Sequence, residues 1–358
     1  STTQYQLGAE QADDNTVTPS GDVSYSGQLG GLNFQASARS NDSYSMYISK
    51  ENSILGDFSP NDIIRDVRVT EGNYSTINTN LDYEFNSNSS GRFNAQFMEG
   101  GGDTELNRRT IDLKVMPNVS SFQREETPSS IENWEVGGDY EYNTERGDRF
   151  KVLFISNLFT RDSTRERFDL SDDGSENKNL FLDSGSTTRE RIVRSSYTFD
   201  IFGGAQDIEF GAERAQTILD SNLNLGVDIP GVAGSANYGG LVPVAVANAN
   251  STVEEMRYEP FVIHNWIISP RMSLESSLLY EDSEITQSGD VSKKRDFNYL
   301  KPKLDFRYDL TPAIQLRGTI EKMVEQLTFR DFVAATDNQD EDSNVQAGNE
   351  NLKQEWFW

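Results

Sequence analysis

Along much of the chain apolar and polar residues alternate with a period of two. From Ser75 the odd positions read Ser75, Ile77, Thr79, Leu81, Tyr83 and Phe85, while the even ones read Thr76, Asn78, Asn80, Asp82 and Glu84. Successive side chains of an extended strand point to opposite faces, so this segment predicts a strand that is apolar on one side and wet on the other. Leu300, Pro302, Leu304, Phe306 and Tyr308 alternate in the same way with Lys301, Lys303, Asp305, Arg307 and Asp309. Beyond the turn Thr311-Pro312-Ala313, the residues Ile314, Leu316, Gly318 and Ile320 carry the apolar face onward, which predicts a hairpin.

Other hairpins follow the same rule. Val23, Tyr25 and Leu29 lead through Gly30-Gly31 to Leu32, Phe34, Ala36 and Ala38. Trp134, Val136, Tyr140 and Tyr142 lead through a polar turn to Phe150, Val152 and Phe154. Val193, Tyr197, Phe199 and Ile201 lead through Gly203-Gly204 to Ile208, Phe210 and Ala212. Val262, Trp266 and Ile268 lead through Ser269-Pro270-Arg271 to Met272, Leu274, Leu278 and Tyr280.

The connections alternate in length. Tight turns follow Leu29, Phe85, Tyr142, Phe202, Ile268 and Leu310, and between them lie long polar excursions at 50–62, 115–131, 169–188, 220–252, 286–294 and 327–350. Aromatic residues gather at the turn ends: Tyr83, Phe85, Tyr140, Tyr142, Phe199, Phe202 and Tyr308. Short turns, long loops and an aromatic band are the signature of an all-β, transmembrane antiparallel β-barrel whose tight turns face the periplasm. About 13 or 14 strands are countable; with a start at Ser1 lacking a signal peptide and an end at Glu355-Trp356-Phe357-Trp358 that reads as mid-strand, the expectation is a fragment of a larger barrel of about 22 strands, residues 1–358 all being barrel domain. The competing reading is a soluble β-sandwich or propeller, but a propeller predicts a repeat of about 40–50 residues, and none is present.

Composition narrows the class further. Only 35% of the 358 residues are hydrophobic, yet 11% are aromatic, which suits a wall with one apolar face better than a packed two-sided core. A formal net charge of −26 argues against nucleic acid as a partner. The absence of cysteine removes disulfides, thiolate metal sites and cysteine nucleophiles, and no cofactor is called for.

Candidate chemistry is sparse. His264 is the only histidine, and it alternates with Val262 and Trp266, so it reads as a wall residue rather than a general base. Asp139 with Glu141, and Glu209 with Glu213, sit at strand spacing on the polar face; a flanking acid pair could serve glycoside hydrolysis, but so many acids line that face that a hydrated wall is the better account. Asp337, Asp340, Glu341 and Asp342 offer oxygen ligands without an ordered Ca²⁺-loop spacing. The 220–252 excursion, with Tyr238 inside it, is the candidate ligand-binding loop.

The last part of the chain carries a family resemblance. Thr319 to Phe332 reads T-I-E-K-M-V-E-Q-L-T-F-R-D-F, and after an acidic stretch comes Gly348-Asn349-Glu350-Asn351-Leu352-Lys353-Gln354-Glu355. This resembles the barrel of TonB-dependent receptors, in which a strand ending in T-V-A-R-P-x-F-R-D-L precedes a loop closed by G-N-P-x-L-K-P-E. Phe329, Arg330, Asp331, Gly348, Asn349, Leu352, Lys353 and Glu355 match; Glu325, Gln326 and Leu327 replace the Ala-Arg-Pro portion, and Glu350 and Gln354 replace the two prolines. On the residues themselves, the glycine and asparagine supply turn conformations and Leu352 starts an apolar face.

The resemblance implies a receptor in the outer membrane of a Gram-negative bacterium, in contact with outer-membrane lipid and without enzymatic activity. It implies energy-coupled uptake of a small nutrient, such as a carbohydrate or an iron chelate. The TonB-ExbB-ExbD system would act through a plug and TonB box in an N-terminal region missing from this chain. The alternatives are a passive porin-type channel and a soluble glycan-binding β-protein.

Overall fold

The computed structural model of the chain describes residues 1–336 and 345–358. Its main body is one antiparallel sheet. The strands are β1 (Thr2–Gln11), β2 (Val17–Leu29), β3 (Leu32–Ile54), β4 (Pro60–Asn86), β5 (Ser89–Asp112), β6 (Val119–Asn143) and β7 (Arg149–Leu170). They continue with β8 (Glu176–Ile201), β9 (Gln206–Val227), β10 (Val242–Val244), β11 (Asn250–Ser269), β12 (Met272–Gly289), β13 (Lys293–Thr311) and β14 (Ile314–Glu321). The sheet has 14 strands in chain order, except that the short β10 folds back onto β9 and β9 pairs directly with β11. Apart from β10, each strand of the sheet pairs with the next in the chain, the simplest meander.

The register explains why these segments are strands. Ile77 lies opposite Phe97, Phe97 opposite Trp134, and Trp134 opposite Leu158. Tyr197 lies opposite Phe210, Phe210 opposite Val262, and Val262 opposite Leu278. A slip by one residue would turn each of these rows over, so the alternation fixes the pairing. Among the described residues the apolar face carries no second layer. Phe210 is 51% exposed, Val262 40%, Leu304 46% and Ile320 64%, values that a packed sandwich core does not allow. On β13 this apolar face runs from Leu300 to Leu310 and on β12 from Met272 to Tyr280, close to the 9–11 residues that a tilted strand needs to cross a bilayer.

Tight turns fall where the sequence places them, at 30–31, 87–88, 144–148, 202–205, 270–271 and 312–313. The long excursions need correction. At 50–62, 115–131, 169–188 and 286–294 the strands continue, and only 55–59, 113–118, 171–175 and 290–292 lie outside them. Past the apolar band both faces are wet, so the alternation fades from the sequence. The backbone still needs hydrogen-bond partners, and the neighbouring strand supplies them. The 220–252 excursion shrinks to 228–249, which holds a 3₁₀ turn at Ala236–Tyr238 and β10. One strand, β1, pairs with β2 although none of the hairpins read from the sequence includes it.

The strand expected to run into Phe329, Arg330 and Asp331 is also corrected. β14 ends at Glu321, β15 (Met323–Val324) follows, and Phe329–Phe332 forms a 3₁₀ turn. Two further short pairs complete the chain: β16 (Ala335–Thr336) with β17 (Val345–Gln346), and β15 with β18 (Trp356–Phe357). This terminal segment lies against the polar face of the sheet. Phe332 and Val333 are buried with Leu219, Val253 and Ile285, and Ala334 with Leu182, Leu223 and Ala249. Leu182, Leu219, Leu223, Val253 and Ile285 alternate with the apolar face, so among the described residues the buried clusters sit on the otherwise polar side, where the segment covers it.

Candidate functional site

Six charged side chains of alternating sign run across five neighbouring strands on the polar face. Arg194 of β8 stands 3.8 Å from Glu213 of β9, which is 3.6 Å from Arg257 of β11. Arg257 reaches Glu259 at 3.3 Å, and Lys301 of β13 holds both Glu259 at 2.8 Å and Glu281 of β12 at 2.6 Å. Register makes this chain: Glu213 faces Glu259 directly across β9 and β11, a repulsive pair that Arg257 relieves by lying between them. The guanidinium of Arg194 also lies 4.2 Å from the ring centre of Phe261. The sequence shows each residue on the polar face but not its partners, because Lys301 meets Glu259 only when three strands are aligned.

Glu281 links this charge chain to the terminal segment. Besides Lys301, its carboxylate accepts from Gln326 and Gln354, each at 3.4 Å, and Gln354 also donates to Gln326 at 3.2 Å. Higher on the wall Gln287 donates to the Phe332 carbonyl at 3.1 Å, and the Arg295 guanidinium donates to the Leu352 carbonyl at 2.7 Å while lying 5.0 Å over the Phe332 ring. The 228–249 connection contributes Asn248, which donates to the Gly348 carbonyl at 2.9 Å and accepts from the Ala334 amide at 3.1 Å.

The resemblance residues are drawn together as the frame of this segment. Phe329 packs edge-on against Phe332 at 6.4 Å, and the Asn349 amide donates to the Asp331 carbonyl at 2.7 Å. Gly348 passes so close to Phe332 that a Cβ there would overlap its carbonyl. The Asn349 side chain accepts from the Asn351 amide at 2.9 Å, a local turn that starts the return run. Leu352 packs on the buried cluster, and the Glu355 carbonyl accepts from the Glu325 amide at 2.9 Å. Arg330 and Lys353 are exposed.

Among the described residues, burial leaves five polar atoms at this contact without a hydrogen-bond partner: Asn248 Oδ1, Glu255 Oε1, Arg257 Nε, Gln287 Oε1 and Gln354 Oε1. Four are acceptors and one a donor, so the interface between wall and segment offers places for ordered water. Glu255 lies on β11 beyond the apolar stretch that ends at Tyr258. Burial pushes its carboxyl above the usual range, opposed by nearby Arg257 and reinforced by Glu281 and Glu259. Alongside, a cavity of about 330 Å³ opens between the wall and residues 330–335, with Arg161, Ser184, Ser186, Ser221 and Arg330 on its lining.

The remaining candidates lie elsewhere. Tyr238 is half-buried in the 3₁₀ turn, its carbonyl accepting from the Leu241 amide at 3.0 Å, and belongs to neither buried cluster under the terminal segment. His264 is on the apolar face at the turn end, 2.9 Å from Gln206 and stacked 6.4 Å from Trp266. Asp139 is paired with Arg92 at 2.8 Å, and Glu213 belongs to the charge chain. Asp337, Asp340, Glu341 and Asp342 lie outside the described residues.

Comparison with known proteins places this wall. Residues 85–355 match the family described as TonB dependent receptor-like, beta-barrel. No curated protein matches the chain. Among solved structures, a mutant of the ferric enterobactin receptor PfeA from Pseudomonas aeruginosa in complex with enterobactin aligns at 8% identity over 90% of this chain and 74% of its own, with a TM-score of 0.16. The siderophore receptor PirA from Pseudomonas aeruginosa aligns at 11% identity over 89% of this chain and 74% of its own, with a TM-score of 0.13.

Proposed function

The chain belongs to the TonB dependent receptor-like β-barrel family, and from that membership we propose that it forms the barrel wall of an outer-membrane receptor for energy-coupled uptake of a small nutrient. The apolar face meets lipid, and the polar face lines the interior through which the nutrient passes. The TonB-ExbB-ExbD system acts through a plug region outside these residues, and the whole of 1–358 is barrel domain.

One observation carries this reading. The same strands that expose Phe210, Val262 and Leu304 on one side hold a chain of six alternating charges on the other, and a terminal segment is pinned against that charged side. A wall with lipid on one face and water on the other needs this division. The pinned segment and the 228–249 connection, joined through Asn248, form the ligand-facing surface.

The nutrient is a polar molecule such as a carbohydrate or an iron chelate, since the interior offers charged, hydroxyl and amide groups. The test is accumulation of labelled ferric chelates and labelled oligosaccharides by cells carrying the intact receptor, with and without TonB. Uptake of one class that stops when TonB is removed is expected. Uptake that persists without TonB would make the protein a passive pore.

A further inference from the structure

We propose that Arg191 and Arg214 form a binding site for the phosphate of a lipid headgroup in the outer leaflet, an inference that rests on the lipid-facing assignment of the apolar face. On β8 the apolar face ascends through Phe199, Tyr197 and Val193, and the next position on it is Arg191. On β9 it ascends through Ile208, Phe210 and Ala212, and the next position is Arg214. Across the pair Val193 faces Arg214, and Arg191 faces Gln216. The two arginines are therefore diagonal neighbours on one face, with Cβ atoms about 7–8 Å apart. Two guanidinium groups on such stems can close on one phosphate.

Their height is that of the bilayer surface. Arg214 lies opposite Tyr258 of β11, where the apolar stretch ends, and Tyr258 lies opposite Asp282 of β12, the first charged position above Tyr280. This is the end of the strands away from the tight turns, which faces outward in barrels of this kind. Both arginines are exposed, and neither has a hydrogen-bond or ion-pair partner among the described residues.

The nearby carboxylates on this face are engaged. Asp220 is held by Arg189 at 2.8 Å and by Thr252 at 2.7 Å, and Glu254 accepts from Gln216 at 2.7 Å. Elsewhere the corresponding rim is acidic, with Glu71, Glu99, Glu132 and Asp282 on the same face of other strands. In a chain of net charge −26, two unpaired arginines side by side at the membrane surface form a local reversal of sign. Guanidinium binds phosphate oxygens through paired N–H donors, and a cation near an anionic membrane surface gains appreciable binding energy.

The test places the intact receptor in phosphatidylcholine nanodiscs, with and without phosphatidic acid, and counts retained lipids by native mass spectrometry. The wild type should retain phosphatidic acid over phosphatidylcholine. Arg191→Gln and Arg214→Gln should each weaken retention by about fivefold. Lys294→Gln, which removes a cation of the same face already paired with Glu284, should leave retention unchanged. Equal retention by wild type and the Arg191→Gln/Arg214→Gln protein would overturn the site while leaving the barrel reading intact. Displacement of the lipid by millimolar inorganic phosphate would overturn it as a lipid site. Failure of the wild type to enter the discs at all would overturn both the site and the reading beneath it.

Discussion

The ammonium of Lys301 lies 2.6 Å from a carboxylate oxygen of Glu281, a residue with no exposed surface. A buried carboxylate is tolerable only while its partner remains. Lys301 also holds Glu259, so one cation keeps two acids in place on the polar face.

Lys301→Ala should therefore be costly, lowering barrel stability by about 3–5 kcal/mol. Lys301→Met combined with Glu281→Gln should recover part of that loss, since no buried charge is then left alone. The temperature at which the folded band disappears in unheated gel electrophoresis measures both. Equal stability of Lys301→Ala and wild type would show that the ion pair is not buried in the native barrel.

Gly348→Ala introduces a side chain where the Phe332 carbonyl already lies. The terminal segment should detach from the wall while the sheet persists. Limited proteolysis should then cut within 322–358 faster by about tenfold, the change expected for roughly 1.4 kcal/mol of local opening. The folded gel band should not shift. Unchanged cleavage would mean that the segment is not seated through Gly348.

Glu255 supplies a pH dependence of defined sign. Its carboxyl titrates above the ordinary range in the folded protein because burial disfavours the anion. The folded state binds the extra proton, so the penalty is absent below the unfolded pKa, grows as pH rises, and is complete above the folded pKa. Glu255→Gln should stabilise the barrel by about 1–3 kcal/mol at pH 8 and have little effect at pH 4. Thermal unfolding across that range checks it; a stabilisation that is largest in acid would reverse the assignment.

The sequence displays the sheet well because each strand within the band has one greasy face. Val262, Trp266, Leu274 and Leu278 announce both a hairpin and its register, and the structure pairs Val262 with Leu278 and Trp266 with Leu274. The signal stops where water lies on both sides. Gly72 lies opposite Gly102, and Glu71 opposite Asp103, within an unbroken ladder, though nothing in those residues alternates. β1 escapes for a related reason: Tyr5 and Leu7 are its large apolar side chains, and polar residues surround them.

The candidate site was legible only in part. Phe329, Arg330, Asp331 and Gly348 stand out as a family signature, and the structure brings Asp331 and Asn349 into hydrogen-bond contact. Their backbone role was not readable, because it depends on the Asn248 carbonyl and side chain, about 100 residues earlier in the chain. The charge chain was hidden for the same reason. Polar-face positions are visible one strand at a time, but Arg194, Glu213, Arg257, Glu259, Lys301 and Glu281 become a unit only through the pairing of five strands.

Charge placement should separate the two faces of one strand. Leu304→Lys puts an ammonium on the lipid side near the middle of the apolar stretch and should cost about 2–4 kcal/mol. Asp305→Lys, one residue on, faces the interior and should cost less than half of that. Folding yield into phospholipid vesicles reports the difference, and equal yields would argue against lipid on the Leu304 side.

The most direct test uses the absence of cysteine from these 358 residues. Single cysteines placed at position 300 and from 302 to 309 on β13 in the membrane-inserted receptor, leaving the Lys301 ion pairs intact, can be probed with a water-soluble maleimide and with a lipid-phase quencher of an attached fluorophore. The expected result is a strict alternation: 303, 305, 307 and 309 reached from water, and 300, 302, 304, 306 and 308 quenched from lipid. Loss of that alternation, with the even positions shielded from both water and lipid, would mean that the apolar face packs against protein and that this sheet is not a membrane wall.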